Sequence, residues 1–179
     1  MKEETAVILE YLPNGYPLEK KMMPLAQAVG ELDYTLLELI PRRGVKLEPG
    51  EIVYIGQGKR DKIYYIFGRL SKEKLTESSK QQLEEFIKKV TEKQEQEFVD
   101  FFNKADAINK RFHQIELLPG LGKKHMKEII KQRQEKPFES FEDMKKRVPN
   151  LPDPKKAVEK RMFKELTQTE RYNLFVKER

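Results

Sequence analysis

Residues 115–130 read Ile115-Glu-Leu-Leu-Pro-Gly-Leu-Gly-Lys-Lys-His-Met-Lys-Glu-Ile-Ile130, and this stretch sets the architecture expected of the C-terminal half. Two helical runs flank Pro119-Gly120-Leu121-Gly122. Ile115 and Leu118 precede the turn, and Met126, Ile129 and Ile130 follow it, at spacings that let the helices face each other in a helix-hairpin-helix pattern. Gly120 and Gly122 permit a tight turn and, lacking Cβ, let backbone N–H groups approach an anion. The partial positive charge at the start of the second helix faces that anion, supplemented by Lys123, Lys124 and Lys127. Leu121 is expected to turn inward and pin the loop. Such a loop suits a phosphodiester backbone, held without regard to base identity. The competing account is an ordinary helix pair whose glycines serve only as a C-cap.

Residues 138–157 repeat the pattern in degenerate form. Phe138-Glu-Ser-Phe-Glu-Asp-Met-Lys-Lys-Arg-Val148 leads into Pro149-Asn-Leu-Pro-Asp-Pro-Lys-Lys-Ala157, with Asn150 in place of the first glycine and Pro152 and Asp153 near the second. Proline removes an N–H and aspartate adds negative charge, so this copy is expected to pack rather than to hold phosphate. Lys155, Lys156, Lys160 and Arg161 read as a solvated helix face. Ser140-Phe-Glu-Asp143 has capping-box spacing, residues 157–166 form another helix, and Tyr172-Asn-Leu-Phe-Val176 fits a closing strand or a docked tail. Charge is just as uneven. Residues 1–104 carry 17 Lys+Arg against 18 Asp+Glu, a net of −1, whereas residues 105–179 carry 19 against 12, a net of +7. The excess positive charge therefore sits with the hairpins, as a polyanionic partner requires.

Residues 5–70 have a different rhythm. Short β-like runs, Ala6-Val-Ile-Leu-Glu-Tyr-Leu12, Tyr34-Thr-Leu-Leu-Glu-Leu-Ile40, Glu51-Ile-Val-Tyr-Ile55 and Lys62-Ile-Tyr-Tyr-Ile-Phe67, are separated by Gly- and Pro-rich turns. Four to six short strands are too few for a sandwich, and closure into a small OB-like or SH3-like barrel, with OB-like preferred, removes the exposed edges. Pro24-Leu-Ala-Gln-Ala-Val-Gly30 fits a short helix or an irregular crossing. Arg42, Arg43, Lys46, Lys59, Arg60 and Lys62 fall in loops close to Tyr54, Tyr64, Tyr65 and Phe67, a mixture used by single-strand-binding surfaces. Alternation along residues 63–67 nevertheless commits at least one of those faces to core. From residue 76 the period lengthens. Leu83, Phe86, Ile87, Val90, Phe98, Phe101, Phe102 and Ala105 share one stripe, interrupted by Gln94, which predicts one long helix or two in tandem, capped by Ser78 or Ser79. The expected class is α+β: an OB-like barrel over residues 1–74, a linking helix over 75–106, and an all-α helix-hairpin-helix module over 107–179.

Composition narrows the chemistry. With no cysteine among 179 residues there is no disulfide, thiolate metal site or thiol nucleophile, which fits the cytoplasm. No run approaches the roughly 20 apolar residues of a membrane span, and neither a leader nor a membrane partner is expected. His113, read as a helix-surface residue, and His125 lack metal-ligand spacing. No metal, cofactor or catalytic residue is therefore expected. A remote alternative casts Lys123 or Lys124 with Asp143 as nucleophile and acid of a DNA lyase or glycosylase.

Motifs spread along nearly the whole chain carry a resemblance. Pro24-Leu-Ala-Gln27, residues 34–44, Val53-Tyr-Ile-Gly-Gln-Gly58 with Arg60 and Asp61, Leu117-Leu-Pro-Gly-Leu-Gly-Lys-Lys124, Pro137-Phe-Glu-Ser-Phe-Glu-Asp143 and Leu151-Pro-Asp-Pro-Lys-Lys156 resemble archaeal domain-of-unknown-function family 655, described as predicted RNA-binding proteins. The resemblance implies an OB-like barrel followed by helix-hairpin-helix elements and favours RNA over DNA. It implies no reaction and no catalytic residue. The expected function is non-enzymatic nucleic-acid binding, with Pro119, Gly120, Leu121, Gly122, Lys123, Lys124 and Lys127 at the phosphate and Arg42, Arg43, Lys59 and Arg60 as a second surface. The alternative is a protein-interaction or ribosome-associated scaffold in which the hairpin is structural.

Overall fold

The computed structural model describes residues 3–177. Strands β1 (Thr5–Leu12), β2 (Leu25–Gly30), β3 (Leu36–Pro41), β4 (Ile52–Tyr54) and β5 (Ile63–Arg69) precede helices α1 (Glu77–Lys93), α2 (Glu95–Lys104), α3 (Lys123–Glu135), α4 (Phe141–Arg147) and α5 (Pro154–Thr167), with 3-10 turns at Lys72–Lys74 and Gln114–Leu117. All strand pairs are antiparallel, in the order β4-β1-β2-β3-β5. The sheet curls into a half-barrel. Its concave side is small on one part, Ala6, Ala26 and Ala28, and large on another, Leu37, Leu39 and Ile63, all fully buried, and this taper accommodates the curl. No helix among the described residues is long and apolar enough to cross a membrane. The chain divides into two compact units, Met1–Phe86 with Glu165–Arg179, and Ile87–Lys164. This differs from the expected succession of barrel, linker and module, because the divisions fall inside α1 and α5.

In the first unit, residues 25–30 are neither a helix nor an irregular crossing. They form β2, in which every residue is buried. Burial on both faces erases the alternation by which a strand is recognised. On the side away from the barrel interior lies Gln27, fully buried. Its Nε2 donates to the Tyr16 hydroxyl (3.1 Å) and the Lys74 carbonyl (2.7 Å), and its Oε1 accepts from the Thr76 N–H (3.2 Å) and the Ser79 hydroxyl (2.6 Å). These bonds fasten the start of α1 to the outer face of β2. They also explain why neither Ser78 nor Ser79 caps the helix: Ser79 is turned onto Gln27, and Thr76 Oγ1 accepts the Ser79 N–H instead (3.1 Å). The Tyr16 hydroxyl in turn donates to Glu38 (2.8 Å), and burial, with the Glu38 carboxylate adding to it, pushes that hydroxyl far above its ordinary range. The C-terminal segment is a docked tail rather than a strand. The fully buried Glu165 carboxylate accepts the N–H groups of Leu174, Phe175 and Val176 at 3.0–3.1 Å.

The second unit is stitched at its helix ends. Gln94 (φ −112°, ψ 35°) breaks the long apolar stripe into α1 and α2. Arg133 Nη1 donates to the carbonyls of Phe102 (3.0 Å) and Ala105 (2.8 Å) at the end of α2. Arg147 does the same for α3 through Gln132 and Lys136 (both 2.6 Å) while its guanidinium lies 4.5 Å from the Phe138 ring centroid. Cations placed there meet the negative ends of the helix dipoles as well as their unpaired carbonyls. Ser140 caps α4 by accepting the Asp143 N–H (2.9 Å), but Asp143 reaches back to the Glu139 N–H (3.0 Å) rather than closing a box on Ser140.

Replacing Gln27 by leucine leaves the Ser79 hydroxyl, the Thr76 N–H and the Lys74 carbonyl without a buried partner. The variant is expected to lose about 2–4 kcal/mol of unfolding free energy in urea titration; an unchanged midpoint contradicts the fastening role.

Candidate functional site

The segment leading into α3 begins with His113, the N-cap of the 3-10 turn. Its backbone N–H donates to Glu116 (2.7 Å), and its Nδ1 accepts the Ile115 N–H (3.1 Å), closing a capping box over the 3-10 turn. His113 is thus a buried cap, not the helix-surface residue the sequence led us to expect. The helix expected before Pro119 is only this 3-10 turn, because a proline forces its predecessor out of helical space, and Leu118 is extended (φ −78°, ψ 129°). Leu118 and Leu121 are buried, so Leu121 does point inward. Gly120 has φ +84°, a left-handed conformation that a side chain resists. Gly122 differs. It is extended (φ −97°, ψ −170°), it is the N-cap of α3, and no atom lies within 4 Å of where a Cβ would stand. Its small size therefore keeps the approach to the first amides of α3 open.

Lys123, Lys124 and Lys127 are exposed on α3, and none of them is in an ion pair among the described residues. The α3 start is unlike every other helix start here. Thr76 and Glu77 serve α1, Glu95 and Glu97 serve α2, Ser140 with Glu142 and Asp143 serves α4, and Asp153 serves α5. Helix α3 has neither a side-chain cap nor an acidic residue in its first turn.

The turn before α5 shows the contrast at the same position. Asn150 is left-handed (φ +56°) like Gly120, and Val148 is buried like Leu118. Asp153 Oδ1, however, accepts the Lys155 N–H (3.0 Å) and the Lys156 N–H (3.4 Å), so the α5 amides are already occupied by a carboxylate. The two turns touch. A Cβ on Gly120 would lie 3.9 Å from Pro152, and His125 Nε2 is 3.3 Å from the Asn150 carbonyl.

In the half-barrel, the predicted loop cations fall partly together. Arg42 donates from its backbone N–H to the Lys62 carbonyl (2.8 Å) and from Nε to the Arg60 carbonyl (2.7 Å), and Arg60 Nε donates to Gly56 (2.8 Å). The β3–β4 and β4–β5 loops are thereby pinned to each other. Arg42, Arg43 and Lys46 line a cleft of about 600 Å³ with Tyr11, Ile40 and Tyr64; Lys59 and Arg60 are outside that lining. None of these five cations is in an ion pair among the described residues, whereas Lys62 pairs with Glu51. Tyr54, grouped with the other aromatics by sequence, instead accepts the Gly58 N–H on its hydroxyl (2.9 Å) and holds a turn. Tyr11 was not marked by sequence, since it reads as one more residue of a strand.

The comparisons agree with one another. A family model described as "Protein of unknown function (DUF655)" matches residues 2–177. The chain belongs to the DUF655 family. It is 42% identical over 177 residues to the uncharacterized protein MJ0038 of Methanocaldococcus jannaschii, covering 98% of this chain and 80% of that one. It is similar to the crystal structure of Af1531 from Archaeoglobus fulgidus, titled family-model DUF655, with a TM-score of 0.85 and 42% identity over 98% of this chain and 100% of that one.

In this DUF655 chain Asp143 is committed elsewhere than to the lysines of the hairpin. The Glu139 N–H foremost, with the Arg147 guanidinium (3.1 Å) adding to it, holds its carboxyl below the usual range against the opposing effect of burial. Among the described residues no group of three or more His, Cys, Asp or Glu stands where it could hold a metal ion. Burial foremost, then Arg133, pushes the His113 imidazole below its ordinary value of about 6.5. The unfolded chain therefore binds the proton first. Stability is expected to be full above about pH 6.5 and to fall as the pH drops below it, toward the folded-state value. His113→Gln should flatten that part of the pH–stability curve measured by denaturant unfolding; a wild-type curve level from pH 7.5 to 5 contradicts the assignment.

Proposed function

We propose that this protein is a non-enzymatic, sequence-tolerant nucleic-acid-binding protein, acting in the cytoplasm on RNA in preference to DNA, that holds phosphates at the start of α3 and on the loops of its half-barrel. The observation that carries the reading is the start of α3. Each lysine at the positive end of a helix dipole costs about 0.3–1 kcal/mol, and an uncapped first turn leaves N–H donors without partners. An anion in front of Gly122 reverses both effects at once. The capped α5 provides the internal contrast. Five unpaired cations on the barrel loops supply a second region of positive potential.

Two finer readings of the fold support the proposal. The five antiparallel strands in the order β4-β1-β2-β3-β5, with β4 and β5 at the two edges, support reading the half-barrel as a partly open OB-type barrel. The matched left-handed residues Gly120 and Asn150, in turns that touch, support a paired helix-hairpin-helix module. The choice of RNA rests on the family resemblance of the sequence motifs.

The test is equilibrium binding to single-stranded RNA, stem-loop RNA and duplex DNA across a range of salt. The logarithm of the association constant should fall with that of salt by about 0.7–0.9 per phosphate neutralised. Lys123→Gln with Lys124→Gln should reduce the slope by about 1 for each lysine at a phosphate, without lowering the thermal midpoint. A folded protein that binds none of these at low salt, or binds them without regard to salt, overturns the proposal in favour of a protein- or ribosome-associated scaffold.

A further inference from the structure

The outer edge of the half-barrel carries an aromatic surface that the phosphate grip does not explain. Strand β5 ends the sheet, and its pairing with β3 slips twice. Leu39 faces Ile66 while Glu38 faces Gly68, and Ile40 faces Tyr65 while Pro41 faces Ile63. The two extra residues are Phe67 and Tyr64. A bulge re-aims the side chain it carries, and these two are 57% and 63% exposed. The second slip also brings Tyr64 and Tyr65 to the same side, where their rings stand edge to face at 5.3 Å. Large apolar rings held in water on an edge strand are a liability unless something covers them.

The surroundings identify the occupant. Tyr64 lines the cleft of about 600 Å³ that also takes in Arg42, Arg43 and Lys46, and no acidic residue lines it. Tyr65 and Phe67 line a neighbouring cleft of about 400 Å³ that shares Met23 and Ile40 with the first. That second cleft contains Lys21 and two carboxylates, each already engaged: Glu19 with Lys74 (3.2 Å) and Glu38 with Tyr16. Cations at one end and flat apolar rings along the edge match a chain with charged links and flat bases. The two bulges argue against an added β-strand, because they interrupt the regular spacing that strand pairing needs. OB-type barrels take oligonucleotides on the face of strands 2 and 3, but here Gln27 and Glu38 on that face are buried under the start of α1 and Tyr16. The β5 edge, by contrast, is open to solvent.

We infer that the β5 edge and its clefts form a stacking site for unpaired bases of a single-stranded nucleic acid, on Tyr64 and Phe67, with phosphates on Arg42, Arg43 and Lys46. The inference rests on the proposal that the protein binds nucleic acid and adds which form of it the half-barrel reads. Tyr64 and Phe67 lie about 10 Å apart along the strand, so each receives a base of its own.

The test compares the full chain with Tyr64→Ala/Phe67→Ala, using a short single-stranded RNA with 2-aminopurine at its centre and the matching duplex. Single-strand affinity should fall roughly 5- to 150-fold per ring removed, the 2-aminopurine emission change on binding should vanish, and duplex affinity should stay as in the wild type. The chain has no tryptophan, so Tyr64→Trp gives an isolated reporter: it should keep single-strand affinity, with emission quenched on binding. An alanine variant that binds the single strand at full strength, or a Trp emission unmoved at saturation, overturns the stacking site and leaves the α3 grip standing. Failure of the wild type to bind either probe overturns both. Self-association or peptide capture that requires Tyr64, with RNA binding unaltered, overturns the inference and makes the edge a protein-docking surface.

Discussion

The buried side chain of Gln27 uses all of its hydrogen-bonding groups on the segment that leads into α1 and on Tyr16, and the exposure of the rest of the sheet follows from that. A polar side chain in the middle of a fully buried strand is tolerated only when every group is satisfied, since each orphan costs about 1–3 kcal/mol. Meeting that condition lays α1 against the outer face of β2, closing one surface of the half-barrel. The barrel interior is filled by its own side chains. The edges and the loops that join the strands are left to solvent, and there the unpaired cations and the exposed rings of β5 are found.

The second unit applies a different division of labour. The turns before α3 and α5 share a left-handed residue at the same place, Gly120 and Asn150, and a buried residue two positions before each. They then diverge at the helix that follows. One copy satisfies the helix start with Asp153; the other leaves it bare and sets lysines around it. A helix start that forgoes a capping side chain, worth roughly a few tenths of a kcal/mol over glycine, and places like charge against its own dipole is poor design for stability alone. On the proposed reading, a phosphate supplies the partner that the first copy lacks, whereas in the second the partner is built into the chain.

Much of this was legible in the sequence wherever one side of an element faces water. The 3.6-residue stripe located the helical span of α1 and α2 and its interruption at Gln94, because a helix covering a core shows its period. The choice between one long helix and two in tandem came only from the backbone at Gln94. The inward turn of Leu121 followed from its place between two glycines. Strand β2 was not legible, because burial on both faces leaves no alternation to read. The cap of α1 was misplaced onto the serines because Ser79 has a stronger claim from Gln27, a residue distant in sequence. The helix before Pro119 shrank to a 3-10 turn through a local rule that an apolar pattern alone overrides on paper but not in space. Nor does any pattern reveal that Tyr64 and Phe67 sit at bulges, since register is a property of two strands together.

The central claim is that the bare start of α3 is a phosphate site, and Gly122→Asp tests it most directly. Position 122 is extended and its Cβ meets nothing within 4 Å, so aspartate fits there and caps α3 as Asp153 caps α5. The account predicts that the variant is at least as stable as the wild type, by about 0.5 kcal/mol at most, while its affinity for RNA at low salt drops about tenfold or more, because a carboxylate now holds the amides a phosphate would use. A stabilised variant that binds RNA with undiminished affinity contradicts the account, for the phosphate is then held somewhere other than at α3.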